Sequence, residues 1–219
     1  MPKPTLIVFA RSPAIGVGKT RLARDIGAVE AWRVYRAMST RALWRLRDPR
    51  WRLVLRLEGR KADPAWPRLP IEPQGRGDLG ARLTRALRAH GEAPVAVVGT
   101  DVPELTPARV ANAFRRRNAI GPASDGGFWL LALEPRRARA VHFAGVRWSS
   151  VHTLKDTLSV LGPLAVLETL TDVDDGTSLA LTRSSPSGAG GSKGRRGQVL
   201  QAPSVRFADS FPRGGASKV

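Results

Sequence analysis

The sequence predicts an α/β protein with a mostly parallel sheet covered by helices. Three observations carry this. Short apolar runs alternate with stretches of helical spacing along residues 5–181. The first apolar run leads into a loop of small residues and then into cations at the start of a helical pattern. Candidate functional residues follow the first, third and fourth apolar runs, and ligands bind at the carboxyl ends of strands in such sheets.

Strands are expected over residues 5–10, 52–57, 94–99, 119–123, 128–133 and 164–168, each a short apolar run. Helices are expected over 19–26, 30–47, 79–90, 107–117 and 150–161. The second helix carries Trp32, Tyr35, Met38, Leu43 and Leu46 at helical spacing, with Arg33, Arg36, Arg41, Arg45 and Arg47 largely on its polar face. Asp78 stands where it would cap the third. No internal repeat is visible.

The chain of 219 residues is long enough for one sizeable domain with a real core. No apolar run approaches a membrane span, the first residues lack a signal-peptide pattern, and a cytoplasmic location is the expectation. The absence of cysteine excludes disulfides, thiolate metal sites and a cysteine nucleophile. The net charge of +18 raises nucleic acid as a partner. Against it, the cations are mostly arginine and scattered over every segment, which suits a polyanionic small substrate better. From Ser184 onward the composition turns to serine, glycine and proline without apolar periodicity. The expected organisation is therefore one domain at 1–183 and a disordered basic tail at 184–219.

Five segments carry the chemistry. Residues 6–22, LIVFARSPAIGVGKTRL, read as a strand, a phosphate-sized loop and a helix start. Gly16 and Gly18 give the loop its freedom, and Lys19 and Arg21 add charge where unpaired N–H groups already attract anions. Gly18-Lys19-Thr20 imitates the end of a Walker A loop, but Pro13 stands where that motif needs glycine. The loop is thus expected to bind nucleotide phosphates by another design.

Asp101 follows the apolar run AVVGT and projects into the expected crevice, where it would hold a divalent cation bridging phosphate oxygens. Asp125-Gly126-Gly127 has the composition of a tight turn, or of a loop whose glycines let a ligand approach the backbone. Asp172-Val173-Asp174-Asp175 crowds three carboxylates, which repel unless a metal or arginines sit among them. Gln74 and the loop through Gly77 could lie along a nucleoside. His90, His142 and His152 show no ligand spacing, and Trp129 and Trp148 are expected in the core or at its rim.

The ordered motifs FARSPAIGVGKTRL, QGRGDLGARL, VVGTDVPEL, GPASDGGFWLL, RWSSVHT and DVDD resemble a bacterial family of GT-A-fold, nucleotide-diphospho-sugar-transferase-like proteins. The resemblance spans about residues 5–181. It implies a three-layer α/β/α fold and transfer from a nucleotide-activated donor, a nucleotide sugar in the first place, to a small-molecule acceptor. The same superfamily contains nucleotidyltransferases, for which the partner would be a nucleoside triphosphate; a non-catalytic nucleotide- or nucleic-acid-binding protein is the third alternative. It implies that Arg11, Gly16, Gly18, Lys19, Arg21, Gln74, Gly77, Gly126 and Gly127 bind the donor, and that Asp101 and Asp174 hold Mg²⁺ or Mn²⁺. Lys19, Asp101 and Asp125 form the expected catalytic set, with Asp125 near the acceptor or sugar. Two departures from the family pattern stand out. The D-x-D signature is reduced to Asp101-Val102-Pro103, and a T-P-E-D-L run after the last aspartate is replaced by Asp175-Gly176-Thr177-Ser178-Leu179.

Overall fold

A computed structural model describes residues 2–184, with the side chains described as far as residue 182. The expected tail therefore lies outside the described residues, apart from Ser184.

The elements are β1 (Thr5–Arg11), α1 (Thr20–Ile26), α2 (Ala28–Arg45), β2 (Arg52–Glu58), β3 (Ile71–Pro73), α3 (Leu79–Ala89), β4 (Val95–Val98), α4 (Pro107–Arg115), β5 (Ala119–Pro122), β6 (Phe128–Leu133), α5 (Pro135–Ala140), α6 (Thr153–Leu161), β7 (Ala165–Val166) and α7 (Gly176–Ser184). All seven strands form one sheet in the order β3-β2-β1-β4-β6-β5-β7. Six run in one direction. Only β6 opposes its neighbours, because the short turn after β5 sends the chain back between β4 and β5.

The central strands are apolar throughout because both faces of the sheet are covered. Successive β1 side chains go to opposite layers. Leu6, Val8 and Ala10 join Leu43 of α2, Leu46 at its C-cap and Val110 and Ala113 of α4 in one core. Ile7 joins Leu79, Leu83 and Leu87 of α3 and Ala138 of α5 in the other. The result is the expected three-layer α/β/α arrangement. Asp78 caps α3 by accepting from the Ala81 N–H, and Thr106 does the same for α4 through Arg109.

From β1 the chain steps outward through β2 to β3, then returns to place β4 on the other flank of β1. That reversal opens a crevice between the carboxyl ends of β1 and β4, where sheets of this class bind ligands. Three elements escaped the sequence reading. Strand β3 is three residues long and ends in a proline, α5 has six residues, and α7 begins on Gly176 directly after the acidic run.

Candidate functional site: a cation-holding carboxylate cluster beside a cleft

The loop after β1 is shaped by left-handed backbone. Gly16, Gly18 and Lys19 have φ of 76°, 74° and 47°. Glycine adopts this freely, whereas for lysine it costs on the order of 1 kcal/mol. The side chain supplies the compensation. Lys19 caps α1 with its backbone and sends its ammonium inward, leaving only 7% of the residue exposed. Lys19 Nζ donates to Asp101 Oδ2 at 3.0 Å, to the Val173 carbonyl at 2.6 Å and to Asp174 Oδ1 at 3.3 Å. Burial alone would favour the neutral amine, but Asp101 and Asp174 outweigh it and hold Lys19 protonated well above its ordinary range.

The acidic side is assembled from three strand ends. Asp101 follows β4, and its carbonyl accepts from the Val173 N–H at 2.9 Å, which ties the 170–174 segment to that strand end. Leu170 bridges to Ala123, and its carbonyl accepts from Ser124 N at 3.0 Å, so the same segment also runs beside the β5–β6 turn. Asp125 is buried in that turn and accepts from the Gly127 N–H at 2.8 Å. Asp172 is buried between these walls, and Asp174 receives Arg21 NH1 at 3.3 Å. Four carboxylates thus meet two cations, Lys19 and Arg21. Burial and this imbalance together favour the neutral acids. Burial, then the charges of Asp125 and Asp101, push the Asp172 carboxyl up to about 7. Asp125 is raised too, chiefly by burial, against the hydrogen bond from Gly127.

Beside this cluster lies a cleft of about 620 Å³, including its solvent-facing mouth. Phe9, Ala10 and Arg11 of β1, Glu58 of β2, Gln74 after β3 and Gly99, Thr100 and Asp101 after β4 form its floor. Val17, Gly18, Lys19 and Tyr35 close one side. Tyr35 fixes the start of the loop: its hydroxyl donates to the Arg11 carbonyl and accepts from the Arg11 N–H, both at 2.9 Å.

The expected residues are largely brought together, but their partners differ from expectation. Lys19 does not face outward toward phosphates. Three protein oxygens take its donors, because its left-handed backbone aims the side chain at the acids. Arg11 lines the cleft while pairing with Glu58 at 3.0 Å. Gln74 also lines it, yet its amide nitrogen donates to the carbonyls of Ala10 and Arg56, bracing β1 against β2. The glycines of the β5–β6 turn serve the protein itself. A Cβ on Gly126, whose φ is 88°, would lie 2.6 Å from the Val151 backbone. One on Gly127 would meet the Asp125 carboxylate at 3.0 Å. Gly77 likewise takes a positive φ of 96°, in the turn that feeds the Asp78 cap. The changed run after Asp174 still caps a helix: Asp175 Oδ1 accepts from Ser178 N at 2.7 Å at the start of α7. Trp129 is core, and Trp148 packs edge-on against Phe128 and Phe143.

Sequence reasoning passed over Glu58, Tyr35 and the Val173 carbonyl. Glu58 was findable, since it ends β2 as Arg11 ends β1. Tyr35 read only as part of a helical stripe, and a backbone carbonyl carries no sequence signal.

Comparison with known proteins places the fold. Residues 44–150 match the DUF2064 family, described as an uncharacterized protein conserved in bacteria. The match includes Gln74, Asp101 and Asp125 and stops short of Lys19 and Asp174. No curated protein matches the sequence. Among solved structures, a protein of Desulfovibrio desulfuricans, provisionally described as a nucleotide-diphospho-sugar transferase, superposes with a TM-score of 0.73 at 24% identity. That superposition covers 85% of this chain and 90% of the other. A CMP:2-keto-3-deoxy-manno-octonic acid synthetase complexed with CTP has a TM-score of 0.51 at 11% identity, covering 84% of this chain and 98% of that one. A nucleotidyl transferase from Methanothermobacter has a TM-score of 0.51 at 12% identity, covering 83% and 96%. The chain therefore has the GT-A-like fold of these solved structures, and residues 44–150 match the model of a family described as conserved in bacteria.

Proposed function

We propose that this protein is a metal-dependent transferase that uses a nucleotide-activated donor, in the first place a nucleotide sugar. One observation carries the reading. The cleft lies where the strand order reverses, and it ends on Lys19 and Asp101, where behind the cleft wall the Asp174 carboxylate and the Val173 carbonyl converge on the same ammonium.

The Lys19 ammonium serves as a stand-in that tests the site for a metal. Its ligands are all oxygens, from Asp101, Asp174 and Val173, and hard divalent cations prefer such a set. Asp125 and Asp172, held toward the neutral acid by burial and by neighbouring carboxylates, are two further carboxyls whose ionisation a divalent ion would favour. The residues therefore fit Mg²⁺ or Mn²⁺, with Asp101 and Asp174 as its holders. Such an ion, when bound, neutralises charge developing on the diphosphate.

The chain supplies the rest. The Gly16–Lys19 loop covers the phosphates, Arg21 and Arg11 contribute positive potential, and the nucleoside lies along Phe9, Gln74 and Leu79. Asp125, at the far side of the carboxylate cluster, faces the acceptor. Nucleotidyl transfer is the second reading, and one observation favours it. Val102 is buried and Pro103 carries no carboxylate, so the metal relies on Asp101 with the distant Asp174, not on an adjacent acid pair.

The two reactions attack different atoms, the anomeric carbon or the α-phosphorus, and so differ in product. Incubation with a panel of nucleotide sugars, nucleoside triphosphates and acceptors separates them. Release of a nucleoside diphosphate supports glycosyl transfer, and release of pyrophosphate supports nucleotidyl transfer. Failure of every nucleotide to bind would reject both.

A further inference from the structure

We propose that Lys19 is an exchangeable resident cation: a divalent metal ion takes its place between Asp101 and Asp174, and the released ammonium turns to the donor phosphates. The inference rests on the reading of the cleft as a nucleotide site. It resolves a conflict in the hydrogen bonding of Lys19. Lys19 lines the cleft, yet all three of its N–H donors are taken by Asp101, Val173 and Asp174. It cannot bind a phosphate without giving up those bonds, and a metal cannot use the same oxygens while they serve the ammonium. Exchange satisfies both demands. The divalent ion brings one more charge than lysine to a cluster holding Asp125 and Asp172 as well. The freed ammonium starts from a left-handed residue flanked by Gly18, where modest backbone rotation relieves strain and swings the side chain toward the cleft. Metal and nucleotide binding are then coupled through one side chain.

Amine acylation of the wild-type protein, read by peptide mass spectrometry, tests this directly. Lys3, Lys61 and Lys155 are exposed and serve as internal references. Without metal, Lys19 should label far more slowly than these. Mg²⁺ should raise its rate at least about fivefold with the references unchanged, and adding a nucleotide that binds should protect it again. In parallel, Mn²⁺ binding by electron paramagnetic resonance, without nucleotide, should be roughly tenfold tighter in Lys19→Gln than in wild type. Mn²⁺ binding that leaves Lys19 labelling unchanged would overturn the exchange. So would a failure of Mn²⁺ to bind the wild-type protein at millimolar concentration. Nucleotide affinity measured by calorimetry is independent of both readouts, so a failed exchange and a failed nucleotide reading are told apart.

Discussion

Replacing Asp172 by asparagine should stabilise the protein at alkaline pH and do little at acidic pH. The carboxyl is 6% exposed, and burial with Asp125 and Asp101 nearby pushes its pKa up to about 7. In the unfolded chain the group titrates near its ordinary value of about 3.9. The folded state therefore binds the extra proton between these two values. Stability contributed by protonated Asp172 is complete below about pH 4 and is lost as the pH rises through 7. The full span corresponds to about 4 kcal/mol. Asparagine mimics the neutral acid at all pH values and removes that loss. Urea unfolding of both proteins at pH 5 and pH 8 measures it. The difference between variant and wild type should favour the variant by about 1–3 kcal/mol more at pH 8 than at pH 5. An equal difference at both pH values would refute the account of Asp172 as a buried acid forced toward neutrality by its neighbours.

Two further predictions follow from single contacts. Asp101→Asn should lower nucleotide affinity in saturating Mg²⁺ at least about tenfold, roughly 1.4 kcal/mol, while also lowering the melting temperature because Lys19 loses a charged partner; calorimetric titration with full retention of affinity would remove Asp101 from the site. Gly126→Ala should destabilise by about 2 kcal/mol or more, since its Cβ would sit 2.6 Å from the Val151 backbone at a positive φ; a circular-dichroism melt within a degree of wild type would mean that the 123–127 turn yields freely.

Much of the architecture was legible because local pattern and global fold agree. The apolar runs of β1, β2, β4, β5 and β6 and the helical spacing of α2, α3 and α4 are long enough to declare their period. Strand β3 is not: three residues, two of them exposed, acquire extended structure only by pairing with Leu55–Leu57. For the candidate site, the sequence told which residues would lie together better than how they would be paired. Lys19, Asp101, Asp125 and Asp174 converge as expected, because strand-end residues must meet at one edge of the sheet. That Lys19 turns inward depends on its own left-handed φ, and residue type alone does not encode that for lysine. The glycines at 126 and 127 illustrate a related ambiguity. A glycine marks close approach, but the sequence does not say whether a ligand or the protein's own backbone approaches.

The proposed function requires the cleft between β1 and β4 to hold a nucleotide diphosphate with the help of a divalent cation on Asp101 and Asp174. Isothermal titration of the wild-type protein with nucleoside di- and triphosphates and nucleotide sugars, in Mg²⁺ and again in excess chelator, tests it most directly. At least one nucleotide should bind with a micromolar Kd in Mg²⁺ and about tenfold or more weakly without it. Binding of none of them below the millimolar range, or binding of equal strength with and without metal, would contradict the account.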